Sequence, residues 1–138
     1  MNKIELRFSA RIENEPFVRT ALASFILPLN PTLSQINEVK TAVSEAITNA
    51  IVHGYPDTQG VIELECEIKD GTLHILVKDS GVGIEDLSIA MQPFYSTMLE
   101  EERAGMGFTI MKTFMDSVEV NSKLNEGTTV FMTKTIAK

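Results

Sequence analysis

Five short segments of the chain alternate apolar and polar side chains, which is the pattern of β-strands with one buried face. They are residues 4–10, 61–69, 72–78, 117–123 and 128–136. Asp70-Gly71 separates the second segment from the third, and an Asp-Gly pair in that position favours a tight hairpin turn. The other face of the second segment carries glutamates, so we expect a sheet that is buried on one side and wet on the other.

Helical spacing, with apolar residues every three or four positions, occupies two long segments and a short one. The first runs from Arg11 to Leu29, and its apolar stripe consists of Phe17, Ala21, Leu22, Phe25, Ile26 and Leu29. The second runs from Thr32 to His53, where Thr32 followed by Gln35 is typical of a capping box. A short helix is expected at 108–114, after about 20 residues of weak pattern that are typical of a functional lid.

Strands and helices in this order predict an α+β fold. We expect a two-layer sandwich, with a mixed or antiparallel β-sheet and helices packed on one face. The chain has 138 residues, 43% of them hydrophobic and 22% charged, which favours a globular fold with a proper core. Because no linker, repeat or low-complexity segment interrupts the sequence, we expect a single domain over residues 1–138.

The charge and cysteine content narrow the classes of function. A net charge of −7 argues against direct nucleic-acid binding, so an anionic ligand must be held locally by backbone N–H groups, a metal ion or one or two cations. No apolar run reaches the roughly 20 residues of a membrane span, and we expect no membrane partner. The N-terminus lacks the apolar core of a signal peptide, and the lone Cys66 is expected to pack in the core, so a cytoplasmic location is expected.

Glu45 and Asn49 are candidate functional residues on the second long helix. They are four residues apart, so they lie one above the other on a single face, roughly 120° or more from the centre of the apolar stripe. A carboxylate and an amide oxygen one turn apart suit a proton transfer and a hard metal ion. By contrast, Glu15 and Arg19, also four apart, are expected on the outer face of the first helix, where a solvated ion pair is favoured.

The motif Asp79-x-Gly81-x-Gly83 follows the third strand directly. A carboxylate at that position can accept hydrogen bonds from an exocyclic amine, and glycines let a flat ring approach the backbone. An ordinary turn also uses an Asp and two glycines, and for this motif taken alone the turn is the favoured interpretation.

Two further glycine motifs follow along the chain. Gly105-x-Gly107 precedes the predicted short helix, and glycines at a helix N-terminus free N–H groups to meet a phosphate. Gly127-Thr128 enters the last strand, where the threonine hydroxyl can reach a ligand or can simply be a β-branched strand residue. Each motif is a weak signal by itself.

In this order and spacing, the pair Glu45-x-x-x-Asn49 and the three glycine motifs resemble the ATP-binding boxes of the superfamily that contains DNA gyrase, the Hsp90 chaperone, histidine kinases and MutL. Within it, the sequence is similar to the anti-sigma F factors of spore-forming bacteria, a family of serine-protein kinases. That similarity extends beyond the boxes to residues 8–11, 13–15, 43–55 and 103–111. A Walker-type Gly-x-x-x-x-Gly-Lys motif does not occur in the sequence.

The resemblance implies a Bergerat-type ATP-binding fold with ATP and Mg²⁺ as cofactors. It makes Glu45 the base that accepts the proton of the attacking serine hydroxyl, Asn49 a Mg²⁺ ligand and Arg103 a cation near the γ-phosphoryl group. It makes Asp79 the acceptor for the adenine amino group and residues 88–104 a lid. The other nucleotide contacts that it implies are Gly81, Gly83, Thr97, Gly105, Gly107 and Thr128.

The resemblance also implies partners. The chain is expected to inhibit a sporulation sigma factor, to phosphorylate a serine of an anti-anti-sigma protein, to form homodimers and to dock its partners at Glu15 and Arg19. One departure from the family pattern lies in the lid, where Met98-Leu99 stands in place of Lys-Pro after Thr97. Because a phosphate-binding lysine is thereby missing, a nucleotide-gated, non-catalytic sigma-binding protein is the alternative.

Overall fold

The structure, a computed structural model, describes residues 1–55, 60–81 and 99–136, and for residue 53 and residues 99–106 it describes the backbone alone. The strands are β1 (Asn2–Ser9), β2 (Val61–Lys69), β3 (Thr72–Asp79), β4 (Ser117–Lys123) and β5 (Gly127–Thr135). The α-helices are α1 (Glu15–Phe25), α2 (Leu33–Asn49) and α3 (Leu99–Phe114). Short 3₁₀ turns at Ile12–Asn14 and Leu27–Leu29 flank α1, and a π-helical turn, Ala50–Gly54, continues α2.

The strands form one sheet in the order β1-β2-β3-β5-β4, and every neighbouring pair is antiparallel. One face of this sheet is buried under the helices, while the other carries polar residues such as the exposed Glu63 of β2. The α+β fold class and the one-sided sheet are therefore confirmed.

The predicted local signals near the ends of α2 and β2 are present. Thr32 Oγ1 accepts a hydrogen bond from the backbone N–H of Gln35 at 3.0 Å, and Gln35 Oε1 accepts one from the backbone N–H of Thr32 at 2.9 Å. Asp70 and Gly71 both have positive φ angles, 52° and 77°, as expected for a type I′ hairpin turn.

A single apolar core joins the inner face of the sheet to the helices. Its fully buried members include the side chains Leu22, Val39, Val43, Ile47, Ile62, Leu64, Leu73, Ile75, Phe108, Met111 and Met132. Cys66 lies in this core as predicted, and burial raises the pKa of its thiol to about 12. The thiol is therefore un-ionised near neutral pH and is a packing residue.

The orientation of α1 differs from the prediction. Phe17, assigned to the apolar stripe, is 70% exposed, whereas Val18 and Leu22 are buried. Glu15, expected on the outer face, is only 7% exposed. Positions 17 and 18 are both apolar and lie about 100° apart on a helix, so the spacing fits either of two faces. Packing against the core selects Val18, and Glu15, three residues earlier, turns inward with it.

The beginning of α3 also differs from the prediction. The helix begins at Leu99, not at Phe108, so residues 99–104 are helical and not irregular. Gly105 and Gly107 consequently lie inside the helix and not ahead of its first turn. Residues 99–103 are mostly strong helix formers, and their propensity outweighs that of the two glycines. The remainder of the predicted lid, 88–98, lies outside the described residues.

Candidate functional site

The helix α2 and its π-helical turn form one element that runs from Leu33 to Gly54. Glu45 and Asn49 lie one turn apart near the end of the α-helical part, and Gly54 closes the π-helical part. π-helical turns occur frequently at functional sites because they re-aim the residues that follow. Here the turn brings Gly54 against Asp79 at the end of β3.

Asn49 is a buried polar residue whose side chain has no hydrogen-bond partner in the described part of the chain. Its side chain is 7% exposed, and among the described residues neither Oδ1 nor Nδ2 has a hydrogen-bond partner. Leaving a buried polar group unpaired costs about 1–3 kcal/mol, so such groups call for an explanation. An amide oxygen is a ligand type that Mg²⁺ accepts, and the unpaired Oδ1 is therefore suited to a hard cation.

The donors around Asn49 also bear on the kind of cation site. Within the described part of the chain, no group of three or more His, Cys, Asp or Glu side chains is arranged to hold a metal ion. Mg²⁺ commonly binds through one or two protein groups and takes its remaining ligands from substrate phosphates and water. The residues present fit that kind of site, and they do not fit an all-protein cage.

Gly107 allows α3 to pack directly against Glu45 and Asn49. A Cβ at position 107 would lie 2.8 Å from Asn49 Nδ2 and 3.2 Å from Glu45 Oε2, so a glycine lets the two helices approach. Because Gly105 and Gly107 lie inside the helix, they do not offer the free N–H groups of a helix N-terminus that were expected at these positions. The polar side of α2 thus faces α3 rather than solvent.

Asp79 forms the second polar centre. It is 5% exposed, and its Oδ1 accepts a hydrogen bond from the backbone N–H of Gly81 at 2.9 Å. The backbone N–H of Thr128 donates to the same carboxyl group. Burial raises the pKa of Asp79 above its ordinary value, and the two N–H donors offset part of that shift.

Three glycines allow the chain to close around Asp79. A Cβ on Gly54 would lie 2.9 Å from Asp79 Oδ1, and a Cβ on Gly81 would overlap the carbonyl of Gly54. Gly127 has a φ of +106°, and a Cβ there would overlap the carbonyl oxygen of Asp79. Gly81 is among the site residues predicted from the sequence, whereas Gly54 and Gly127 are not. Their role depends on contacts between distant parts of the chain, and the Gly127-Thr128 motif was the only local hint.

Tyr55 is a further residue of this region that was not predicted from the sequence. Its hydroxyl accepts a hydrogen bond from the backbone N–H of Ser80 at 2.7 Å and donates one to the carbonyl of Val61 at 2.9 Å. The ring lies against Gly60, where a Cβ would overlap it. Tyr55 therefore ties the end of the α2 element to the start of β2 and to the residue after Asp79.

The structure places the predicted site residues in two groups joined by α2. The first group, which we call the amide end, consists of Glu45, Asn49 and Gly107. The second group, which we call the carboxylate end, consists of Asp79, Gly81 and Thr128. Gly83 and Thr97 lie outside the described residues. Arg103 lies in α3, where the backbone alone is described, and Gly105 lies in the same helix.

Glu15 and Arg19 lie on α1 and belong to neither group. Arg19 Nε is 3.4 Å from Glu15 Oε1, an ion pair in which neither of these two atoms makes a hydrogen bond within the described structure. The Arg19 side chain is 39% exposed. The pair is therefore half-buried and poorly aligned rather than the solvated surface pair that was predicted.

Residues 8–134 match the family described as the histidine kinase-like ATPase domain. This match covers most of the chain and agrees with the antiparallel sheet beneath helices and with the motifs on α2 and β3. The class of protein is thus an ATPase domain of the histidine-kinase type, and the match implies an ATP site. None of the described helices is long and apolar enough to cross a membrane.

Curated relatives narrow the class. The chain is 52% identical over 138 residues to the anti-sigma F factor of Geobacillus kaustophilus, an alignment that covers 99% of this chain and 94% of the relative. It is 47% identical over 133 residues to the anti-sigma F factor of Clostridium kluyveri, covering 96% and 94%. The chain belongs to the anti-sigma F factor family of histidine kinase-like ATPase domains.

Solved structures show the same fold at lower identity. The crystal structure of the RsbU and RsbW domains of a Mycobacterium tuberculosis protein matches 100% of this chain and 33% of its own, with a TM-score of 0.72 and 19% identity. The mycobacterial sensor histidine kinase MprB matches with a TM-score of 0.60 and 14% identity, covering 97% of this chain and 99% of its own. At these identities the likeness concerns the fold alone.

Proposed function

We propose that this protein is an anti-sigma factor and an ATP-dependent serine-protein kinase. It binds and inhibits a sporulation sigma factor, and it phosphorylates a serine of an anti-anti-sigma partner. The observation that carries the proposal is the unpaired, buried amide of Asn49 beside Glu45, on the same helical element that reaches the paired Asp79 carboxylate. The identity of about half the residues to anti-sigma F factors supports the choice of partner.

In this proposal the nucleotide base lies at the carboxylate end. Asp79 accepts two backbone N–H bonds, and a carboxylate has about four lone-pair sites, so it retains capacity for the exocyclic amine of adenine. Gly81 and Gly83 line the base, and Gly54 and Gly127 keep the backbone close to the carboxylate. Because these contacts exist within the protein itself, the acceptor is held in place before a base arrives.

The phosphates lie toward the amide end. Asn49 Oδ1 is the ligand for Mg²⁺, which neutralises phosphate charge that a protein of net charge −7 would otherwise repel. Glu45, one turn earlier, accepts the proton of the attacking serine hydroxyl. Arg103 supplies a cation near the γ-phosphoryl group, and Thr97 lies on the phosphate side. Gly105 and Gly107 belong to α3 on the same side, where Gly107 acts by letting α3 approach Asn49 and Glu45.

The partner-docking surface is the part of α1 formed by Glu15, Phe17 and Arg19. Phe17 is 70% exposed, and an exposed aromatic beside an arginine is a residue combination that is common at interface hot spots. The poor alignment of Arg19 with Glu15 leaves guanidinium donors for an acidic group of a partner. Homodimer formation is part of the same proposal.

A phosphoryl-transfer assay tests the function. With Mg-ATP, the wild type should transfer labelled γ-phosphate to the serine of the anti-anti-sigma protein. Glu45→Gln removes the base but keeps the shape of the side chain, so transfer should fall roughly 10²- to 10⁴-fold while ATP binding is retained. If the wild type binds ATP and the sigma factor but transfers nothing, the protein is a nucleotide-gated, non-catalytic switch, the alternative to which the Met98-Leu99 departure lends some weight.

Two variants on α1 provide the matched control. Arg19→Ala and Phe17→Ala should bind ATP as the wild type does but capture the sigma factor more weakly. Glu45→Gln should instead lose phosphoryl transfer and keep its capture of the sigma factor. Isothermal titration with ATP and with the purified sigma factor separates these effects. Full sigma-factor capture by both α1 variants would contradict the docking surface without touching the kinase assignment.

A further inference from the structure

A row of polar side chains crosses the sheet at the carboxylate end. Ser122 on β4 lies opposite Thr128 on β5, and Thr128 lies opposite Asp79 on β3. Each of the three is two residues from a side chain that points toward the helices, so all three share the inner face of the sheet. Directly opposed residues on neighbouring strands have Cβ atoms about 4.5–5.5 Å apart, which is close enough for their polar groups to act together.

The hydrogen bonds of Ser122 bear on the direction in which the Thr128 hydroxyl proton points. Ser122 Oγ donates to the carbonyl of Gly127 at 3.1 Å, and it lies 2.7 Å from Thr128 Oγ1. A hydroxyl has a single proton to donate. When the proton of Ser122 is donated to the Gly127 carbonyl, the bond between the two hydroxyls is made with the proton of Thr128.

The orientation of the Thr128 proton has a chemical consequence. A proton that points at Ser122 points away from the neighbouring Asp79, so Thr128 Oγ1 presents only lone pairs on that side. The carboxylate of Asp79 also presents only lone pairs when it is ionised. Two acceptors therefore stand next to each other on the inner face of the sheet.

We propose that Ser122 is a specificity-determining positioning residue, which makes the site select a base with an exocyclic amino group over one with a carbonyl at the same position. This inference rests on the proposed function, in which the base lies at Asp79. An amino group has two N–H donors and can satisfy both acceptors, whereas a carbonyl oxygen meets lone pair against lone pair. Ser122 acts through Thr128 and touches no reacting atom.

Equilibrium binding of ATP and of inosine triphosphate tests the proposal, because the two differ at the group that the row would read. The wild type should bind ATP more tightly. Ser122→Ala removes the acceptor of the Thr128 proton, which is then free to turn toward the base, so the ATP-to-inosine-triphosphate affinity ratio should fall roughly three- to tenfold. Ser122→Thr retains a hydroxyl and should keep the ratio near the wild-type value.

Ser117→Ala is the matched control. Ser117 lies on the same strand and its hydroxyl contacts that of Thr133 on β5, 2.5 Å between the oxygens, at the other end of the strand pair and on the exposed face of the sheet. It should lower the melting temperature about as much as Ser122→Ala does while leaving the affinity ratio unchanged. A fall in the ratio for both variants would show a general effect of lost sheet bonding and would overturn the proposal.

The remaining outcomes are equally decisive. If Ser122→Ala leaves the ratio unchanged while Thr128→Val lowers it, Thr128 reads the base without help from Ser122, and the inference is wrong. If Ser122→Ala does not fold, Thr128→Val decides, because an unchanged ratio in that variant removes the threonine from base selection. If the wild type binds neither nucleotide, the proposed function itself fails, which is distinguishable from all of these results.

Discussion

The two ends of the candidate site satisfy their polar groups to very different degrees. At the carboxylate end, Asp79 accepts two backbone N–H bonds and Thr128 shares a hydroxyl bond with Ser122. At the amide end, Asn49 is equally buried, yet neither of its side-chain polar atoms has a hydrogen-bond partner among the described residues. The polar side chains of the first end have partners within the protein, whereas the described residues offer no partner for the amide of the second.

This difference suits the two ends to different tasks, selection of the base at one and coupling of stability to ligand binding at the other. Groups that are held by the protein itself lose little freedom when a ligand arrives, so the carboxylate end is preorganised for selectivity. An unpaired buried amide instead raises the energy of the free protein, and a ligand that pairs with it recovers that energy. The amide end is thus suited to couple the folded state to the presence of Mg-ATP.

The largest expected effect comes from adding one methyl group at the carboxylate end, and the same addition at the amide end is its comparison. Gly127→Ala introduces a Cβ at a φ of +106° that overlaps the backbone carbonyl of Asp79, so the backbone must move and unfolding free energy should fall by about 3 kcal/mol. Gly107→Ala meets side-chain atoms of Asn49 and Glu45 instead. Alanine favours the helix by about 1 kcal/mol, which offsets the crowding, so stability should change by less than about 1 kcal/mol.

Urea unfolding of both variants, without nucleotide, gives the two free energies. The comparison breaks if Gly107→Ala is the more destabilised of the pair, since that would mean the amide end is packed more rigidly than the carboxylate end.

A second prediction concerns Asn49 directly. Asn49→Ala removes an unpaired buried amide and adds a better helix former, so the ligand-free protein should be stabilised by about 1 kcal/mol although a buried side chain is truncated. The same variant should lose the Mg²⁺ dependence of ATP binding. Chemical denaturation and titration of ATP with and without Mg²⁺ measure the two effects.

Lys134→Met supplies the control for Asn49→Ala. Lys134 is as buried as Asn49 but is hydrogen-bonded, because its Nζ donates to Glu38 Oε2 at 2.9 Å and to the carbonyl of Phe114 at 2.6 Å. Its loss should destabilise the protein by about 2 kcal/mol and leave the Mg²⁺ dependence intact. If Asn49→Ala is destabilised to the same degree, the amide has partners in solution and the contrast between the two ends disappears.

The structural features that could be predicted from the sequence are those that depend on a few neighbouring residues. The hairpin at Asp70-Gly71, the capping box at Thr32 and the common face of Glu45 and Asn49 depend on local geometry, which residue type and spacing largely determine. The choice between Phe17 and Val18 as the buried position of α1 could not be made in this way, because both are apolar and only packing against the core distinguishes them.

Contacts between distant segments account for what was missed. Gly54 and Asp79 are 25 residues apart, and so are Tyr55 and Ser80, so no local pattern reveals that they touch. Lys134 is a charged residue on the buried face of β5, and its partners Glu38 and Phe114 come from two different helices. The roles of Glu45, Asn49 and Asp79 in a nucleotide site stay predictions, and the variants above test them.

The smallest effect is a pH dependence confined to the carboxylate end. Because burial raises the pKa of Asp79, the folded protein binds its proton more tightly than the unfolded chain, and unfolding free energy should fall as pH rises from about 4 through the folded-state pKa. The slope contributed by one group cannot exceed about 1.4 kcal/mol per pH unit, and Asp79→Asn should lack it. ATP affinity should change in the opposite direction, since only the ionised carboxylate offers all its lone pairs to the base amine.

Denaturation and ATP titration of both proteins across this range test the pair of trends. If the wild type and Asp79→Asn show the same slope of stability with pH, Asp79 titrates as an ordinary exposed carboxyl, and the carboxylate end is as open to water as any surface loop.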